Sequence, residues 1–244
     1  MIAMSLVRRV LKTLIPASLR AKRYEWQAVQ KQQALGRMSV AETFTKIYTE
    51  GLWGDRPGFD SGPGSRDHFT VPYAQALVEK LIRPYQIKSL CDVGCGDFDA
   101  GRHLTPHLEK YIGVDVVPPM IEHHQKQYGS SQISFLFLDA TQQRVPDVQV
   151  CTIRQVLQHL TTKEIFAVLK NCSHIPYLVI TEHLYTGADV VPNKDILHGV
   201  QTRSDNKSGV FLEQAPFNLK TETLLEMPYA ENAILRTSLI RQAT

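Results

Sequence analysis

The run Leu90-Cys91-Asp92-Val93-Gly94-Cys95-Gly96-Asp97 brings together the residue types best suited to holding a ligand in this 244-residue chain. It reads as a buried strand that ends in a glycine-rich turn. Nineteen positions after Gly96, Asp115 closes a second apolar run, Tyr111-Ile112-Gly113-Val114. A strand, a GxG turn, a helix and a second strand ending in an acid make up a nucleotide-binding half-unit. Glycines let backbone approach a ligand closely. The acid is placed to take two ribose hydroxyls.

The dinucleotide fingerprint GxGxxG requires a third glycine for close packing beside a pyrophosphate. Asp99 stands at that position. Asp97 and Asp99 also put two carboxylates where the N-terminus of the expected helix would receive an anion, which opposes a pyrophosphate. A cofactor with an amino group and a sulfonium, and no phosphate, suits the turn better.

Asp92-Val93-Gly94-Cys95-Gly96-Asp97 resembles motif I of the class I SAM-dependent methyltransferases, and the resemblance extends over about 89–181. It implies S-adenosyl-L-methionine as cofactor. The backbone around Gly94, Cys95 and Gly96 then lies along the methionine part. Asp92 orders that loop or meets the methionine amino group. Asp115, followed by Val116, binds the ribose, and Asp139-Ala140 borders the adenine. The segment Arg154-Gln155-Val156-Leu157-Gln158-His159-Leu160 is similar to the family's stretch facing the methyl group, and Arg154 joins the cofactor contacts. Trp53 with 61–65, and Asn193, Asp195, Gly199, Arg203 and Pro216-Phe217, resemble a narrower bacterial group. Its members accompany surface-glycan or secondary-metabolite genes.

Two residues are candidates for general base. His159 has an ordinary pKa of about 6.5, suited to taking a proton from a hydroxyl or ammonium; the alternative is a packing role. Glu182 follows strand five, beside His183, and either touches substrate or turns the chain. Trp53 closes over the cofactor or pins the N-terminal helices. Asp195 and Arg203 belong to a lid or to an exposed salt bridge. His123 and His124 are expected to be solvated.

These residues need a scaffold. Apolar runs at 88–93, 111–114, 133–138, 148–153 and 177–181 read as strands and alternate with helical patterns over 70–83, 121–127 and from Thr162. Thr161 and Glu164 form a capping box. The stretch 55–65 is a loop by its Gly, Pro, Asp and Ser content, and 187–218 has no sustained period. The alternation predicts an α/β fold. It is Rossmann-like and doubly wound, with a mostly parallel sheet, an antiparallel C-terminal edge strand at 233–241 and an N-terminal helical extension. Three regions follow: a basic amphipathic extension (1–39), helices with a cofactor-covering loop (40–87), and the SAM-binding domain (88–244).

Charge narrows the partners. Seven Lys/Arg and one acid fall within residues 1–31, leaving 20 basic and 23 acidic residues elsewhere. No basic stripe marks the body, so nucleic acid is not expected. The N-terminal helix docks on its own domain or on a second subunit, giving a homodimer. Alternatively it lies on an anionic membrane surface. Cys91, Cys95, Cys151 and Cys172 show no CxxC and no metal-ligand spacing, and read as buried thiols in a cytoplasmic protein, free or peripheral at the inner face of the membrane. The expected activity is methyl transfer to an oxygen, or a nitrogen, of a small molecule or glycan. The chain has no Asn/Asp-Pro-Pro-Tyr/Phe motif, which disfavours protein-glutamine and DNA-adenine acceptors. Rival readings are a SAM-binding, non-catalytic partner subunit, a nicotinamide-dependent oxidoreductase and a membrane-associated adaptor.

Overall fold

The computed structural model describes residue 30 and residues 32–242. The expected membrane or docking helix falls mostly on residues 1–29 and 31 and lies outside the described residues. Among the described residues, no helix is long and apolar enough to cross a membrane.

Helix α1 (Val40–Thr49) starts at a capping box, with Ser39 Oγ accepting the Glu42 N–H and the Glu42 carboxylate accepting the Ser39 N–H. Helix α2 (Asp67–Leu77) continues through a π-helical turn, Val78–Ile82. The α/β body then runs β1 (Ser89–Val93), β2 (Lys110–Asp115), α3 (Pro118–Tyr128), β3 (Ile133–Phe137), β4 (Val150–Arg154), α4 (Thr162–Asn171) and β5 (Tyr177–Tyr185). The capping box of Thr161 and Glu164 is present at α4. A hairpin, β6 (Glu222–Ala230) and β7 (Ala233–Arg241), completes it. Between β5 and β6 the only regular element is a 3₁₀ turn, Ser204–Asn206.

The seven strands lie in the order β3-β2-β1-β4-β5-β7-β6. The first five pair parallel, and β7 pairs antiparallel to both β5 and β6. The order reverses between β1 and β4, and the crevice beyond their carboxyl ends is where open α/β sheets take ligands. Both faces of the sheet are buried, as parallel sheets require. One face packs Val93, Val114, Ile153 and Ile180 with Phe44 and Ile47 of α1 and Ile165 and Val168 of α4. The other packs Leu90, Tyr111, Val150 and Val179 with Tyr73, Leu77 and Leu81.

Two expectations change. The C-terminal strand is antiparallel but not at the edge: β7 is buried on both faces from Thr237 to Ile240, and the half-exposed β6 forms the edge. No α-helix follows the Gly94–Gly96 turn. Residues 97–108 make two 3₁₀ turns, Gly101–His103 and Thr105–His107, the second with Pro106 in its first turn. The four cysteines are free and buried.

Candidate functional site

A cavity of about 1250 Å³, its open mouth included, sits at the carboxyl ends of β1, β2 and β4. Its floor is the turn after β1. Gly94 and Gly96 take φ of +69° and +52°. A Cβ on Gly94 would lie 2.4 Å from Val156 Cγ2, and one on Gly96 2.4 Å from Ser61 Oγ. Only glycine fits this path. Val114 O accepts the N–H groups of Gly94 and Cys95 at 2.8 and 3.1 Å. Cys95 lends backbone to the floor, and its thiol is buried.

Asp115, ending β2, joins the floor to the wall. Its carboxylate accepts Gly96 N–H at 3.1 Å and Val116 N–H at 2.7 Å. Burial pushes its pKa up to about 6. Asp92, on the second face of the sheet, accepts Tyr111 OH and Thr152 OH, each at 2.7 Å, and burial raises its pKa too. Asp139 accepts the Thr141 N–H at 2.8 Å, forming the turn that presents Ala140 to the cavity.

The loop 55–65 roofs this floor through the two acids beside the turn. Asp97 accepts Ser61 N–H at 3.0 Å and the Arg56 guanidinium at 2.9 Å. Arg56 also pairs with Asp99 at 2.8 Å. Asp60 takes Arg66 in two hydrogen bonds at 2.7 and 3.0 Å, which holds its pKa well below the ordinary carboxylate range. Asp97 and Asp99 therefore do not guard a helix N-terminus against phosphate, because no helix starts there; they hold the roof.

Trp53 both packs and lines the cavity. Its ring lies 5.7 Å from Phe44, 5.2 Å from Tyr48 and 4.8 Å from His159, and its indole N–H reaches Val200 O at 3.3 Å. Arg154 ends β4 in the cavity wall, donates to Gly64 O at 2.6 Å and stands over the Tyr73 ring. Its Nε is buried with no partner among the described residues.

The two expected bases are placed differently. His159 lines the cavity, but both ring nitrogens have partners: Nδ1 faces Gln201 O and Nε2 faces the Gln158 amide nitrogen, each at 3.3 Å. Burial pushes its pKa down to about 4. Glu182 lies behind the wall. Its carboxylate accepts the N–H groups of Leu157 and Gln158 at 2.9 and 3.0 Å, and burial raises its pKa to about 8. It holds the turn that carries His159.

Arg203 pairs with the exposed Asp195 at 3.5 Å, but its own side chain is not exposed. It is fully buried and donates to Lys194 O and to Leu160 O, so it ties 187–218 to the start of α4. His124 is buried rather than solvated, and its Nε2–H donates to Gly96 O at 2.8 Å. His123 is exposed. The position of His124, at i+3 and i+4 from Ile121 and Met120, was the sequence signal for burial. Sequence reading also missed Tyr48, Thr202 and Tyr229, which complete the lining.

Residues 90–175 match the family model of the methyltransferase domain. Over that segment the chain is similar to a methyltransferase domain. Solved methyltransferases share its fold. The N-methyltransferase NodS from Bradyrhizobium japonicum WM9, in complex with S-adenosylhomocysteine, superposes with a TM-score of 0.53 at 15% identity, covering 71% of this chain and 87% of NodS. Magnesium protoporphyrin IX methyltransferase from Synechocystis PCC 6803, with the same molecule bound, gives 0.53 at 14%, covering 81% and 96%. Human N-acetylserotonin methyltransferase, in complex with SAM, gives 0.51 at 16%, covering 90% and 66%. No curated protein matches this chain.

Proposed function

We propose that the chain transfers a methyl group from S-adenosyl-L-methionine to an oxygen of a small molecule or glycan, with nitrogen as the second choice of acceptor atom. The observation that carries this reading is the Asp115 carboxylate, held by Gly96 N–H at the edge of a floor that only glycine can form. Its lone pairs beyond those bonds suit two vicinal hydroxyls.

The other residues fit the same cofactor. Asp92, Asp97 and Asp115 line the cavity and favour a ligand with sulfonium and ammonium charge. Arg154, with its unpartnered buried Nε, suits the methionine carboxylate. Ala140 and Val116 offer small apolar wall where a base ring would lie. The cavity opens to solvent beside this wall, and an acceptor would enter through that mouth. When bound, S-adenosyl-L-methionine supplies an electrophilic methyl carbon on a positive sulfur.

The chain's own work is then positioning and exclusion of water. Trp53, Phe44 and Tyr48 wall the cavity with rings, and the loop 55–65 closes its top. Holding two reactants in line supplies a large share of catalysis in such displacements. His159, neutral and hydrogen-bonded at both nitrogens, shapes the wall and does not take the proton.

The test is incubation of the full chain with methyl-labelled S-adenosyl-L-methionine and a panel of hydroxylated small molecules, sugars and amines. Label in an ether product supports the reading. Label in amines alone overturns the oxygen preference. Cofactor binding without label in any acceptor favours the non-catalytic subunit.

A further inference from the structure

Methylating a hydroxyl releases its proton, and His159 offers that proton no free nitrogen. A different histidine lies behind the far side of the cavity. Thr202 lines the cavity, and its Oγ1 is 2.7 Å from Ser204 Oγ. Ser204 Oγ is 3.2 Å from His183 Nδ1. The three groups make an unbroken line from the cavity wall to an imidazole. Each is fixed by its surroundings. Asp205 accepts the Thr202 N–H at 2.8 Å, Ser204 opens the 3₁₀ turn after the buried Arg203, and the His183 N–H donates to the Gln158 side chain at 3.2 Å.

We propose that Thr202, Ser204 and His183 form a proton relay that carries the acceptor's hydroxyl proton from the cavity to the His183 imidazole. The proposal rests on the methyl-transfer reading above. As the acceptor oxygen bonds to the methyl carbon, the S–C bond breaks and its electron pair stays on sulfur. The acceptor proton passes to Thr202 Oγ1, the Thr202 proton to Ser204 Oγ, and the Ser204 proton to His183 Nδ1. The positive charge that leaves sulfur is thereby matched by one imidazolium.

The surroundings of His183 suit this end point. Its Nε2 is buried without a hydrogen-bond partner among the described residues, and the Tyr229 ring of β6 lies 4.2 Å away. Burial lowers its proton affinity, so it is neutral and ready to accept at neutral pH. Asp205 draws the other way and steadies the imidazolium once formed. Tyr229, its own pKa raised by burial and drawn down by Arg154, and the neutral His159 are further titratable groups near this end of the cavity. The relay predicts one ring form, with the proton on Nε2 and a bare Nδ1 facing Ser204.

Nitrogen NMR of isotope-labelled histidines in the full chain, with S-adenosylhomocysteine bound at neutral pH, reads this directly. Expected is His183 protonated at Nε2 and bare at Nδ1, with Ser204→Ala shifting the Nδ1 signal while cofactor affinity holds. With an acceptor from the panel above, Ser204→Ala lowers kcat by about 100-fold. It leaves KM unchanged and removes the acid limb of the kcat profile. Thr202→Ser, which keeps the hydroxyl, retains activity. A proton on Nδ1, a Nδ1 signal indifferent to Ser204→Ala, or an unchanged kcat overturns the relay. Absence of S-adenosylhomocysteine binding instead overturns the methyl-transfer reading itself.

Discussion

The Arg56 guanidinium lies 2.9 Å from the Asp97 carboxylate and so joins the loop over the cavity to the turn beneath it. The same arginine reaches Asp99 at 2.8 Å and Asp60 at 3.4 Å. It is 40% exposed, so solvent screens these pairs and their value to the fold is small. Arg56→Ala is therefore expected to lower Tm by no more than about 2–4 °C. It should weaken S-adenosylhomocysteine binding by about 3- to 10-fold, because the roof is no longer held down. Thermal melts and calorimetry on one preparation separate the two effects. A large Tm loss with unchanged affinity contradicts a latch.

Asp115 and Asp97 both have pKa values raised to about 6 by burial, against about 3.9 for a free aspartate. The folded apo protein thus binds more protons than the unfolded chain between these values, and these groups lose it stability as pH rises through 6. Ligand binding runs the opposite way, because an ionised Asp115 accepts hydroxyl hydrogens best. Affinity for S-adenosylhomocysteine should climb as pH rises through about 6 and level off above it. Calorimetry across that range checks the slope; a flat profile would remove Asp115 from the hydroxyl-binding role.

Glu182 is a buried carboxyl under two backbone N–H donors. Glu182→Ala orphans both, at about 1–3 kcal/mol each. Urea unfolding should show that loss. Glu182 itself has a pKa raised to about 8 by burial, so its contribution is full below the ordinary glutamate value of about 4.5 and fades as pH rises through 8. The variant should lack that component of the pH dependence. An unchanged unfolding midpoint would mean the His159 turn stands without Glu182.

His159→Asn keeps a polar side chain at a site walled by Trp53 and Phe44. If His159 only shapes the wall, methyl transfer falls by less than about 10-fold. A general base would cost about 100- to 10,000-fold on removal. A steady-state comparison with any acceptor from the panel decides between them.

Much of the site was readable because its signals are local. Gly94, Gly96 and Asp115 sit at strand ends, and the apolar runs that mark those strands are short and continuous. The features that escaped depend on distant partners. Arg203 looks like a surface charge until Leu160, 43 positions earlier, turns out to accept from it. Glu182 looks like a site acid until Leu157, 25 positions earlier, claims its oxygen. The helix expected after Gly96 follows from the usual half-unit, yet Gly101 and Pro106 favour shorter turns. Alternation in 233–241 identified a strand, but interior and edge strands differ only in what lies alongside.

Calorimetry of the full chain with S-adenosylhomocysteine and with NADH, at protein concentrations that report micromolar binding, tests the central claim most directly. The wild type should bind S-adenosylhomocysteine and give no heat with NADH, and Asp115→Ala should abolish the S-adenosylhomocysteine signal. No heat with S-adenosylhomocysteine, or equal affinity for NADH, would contradict the assignment of this cavity.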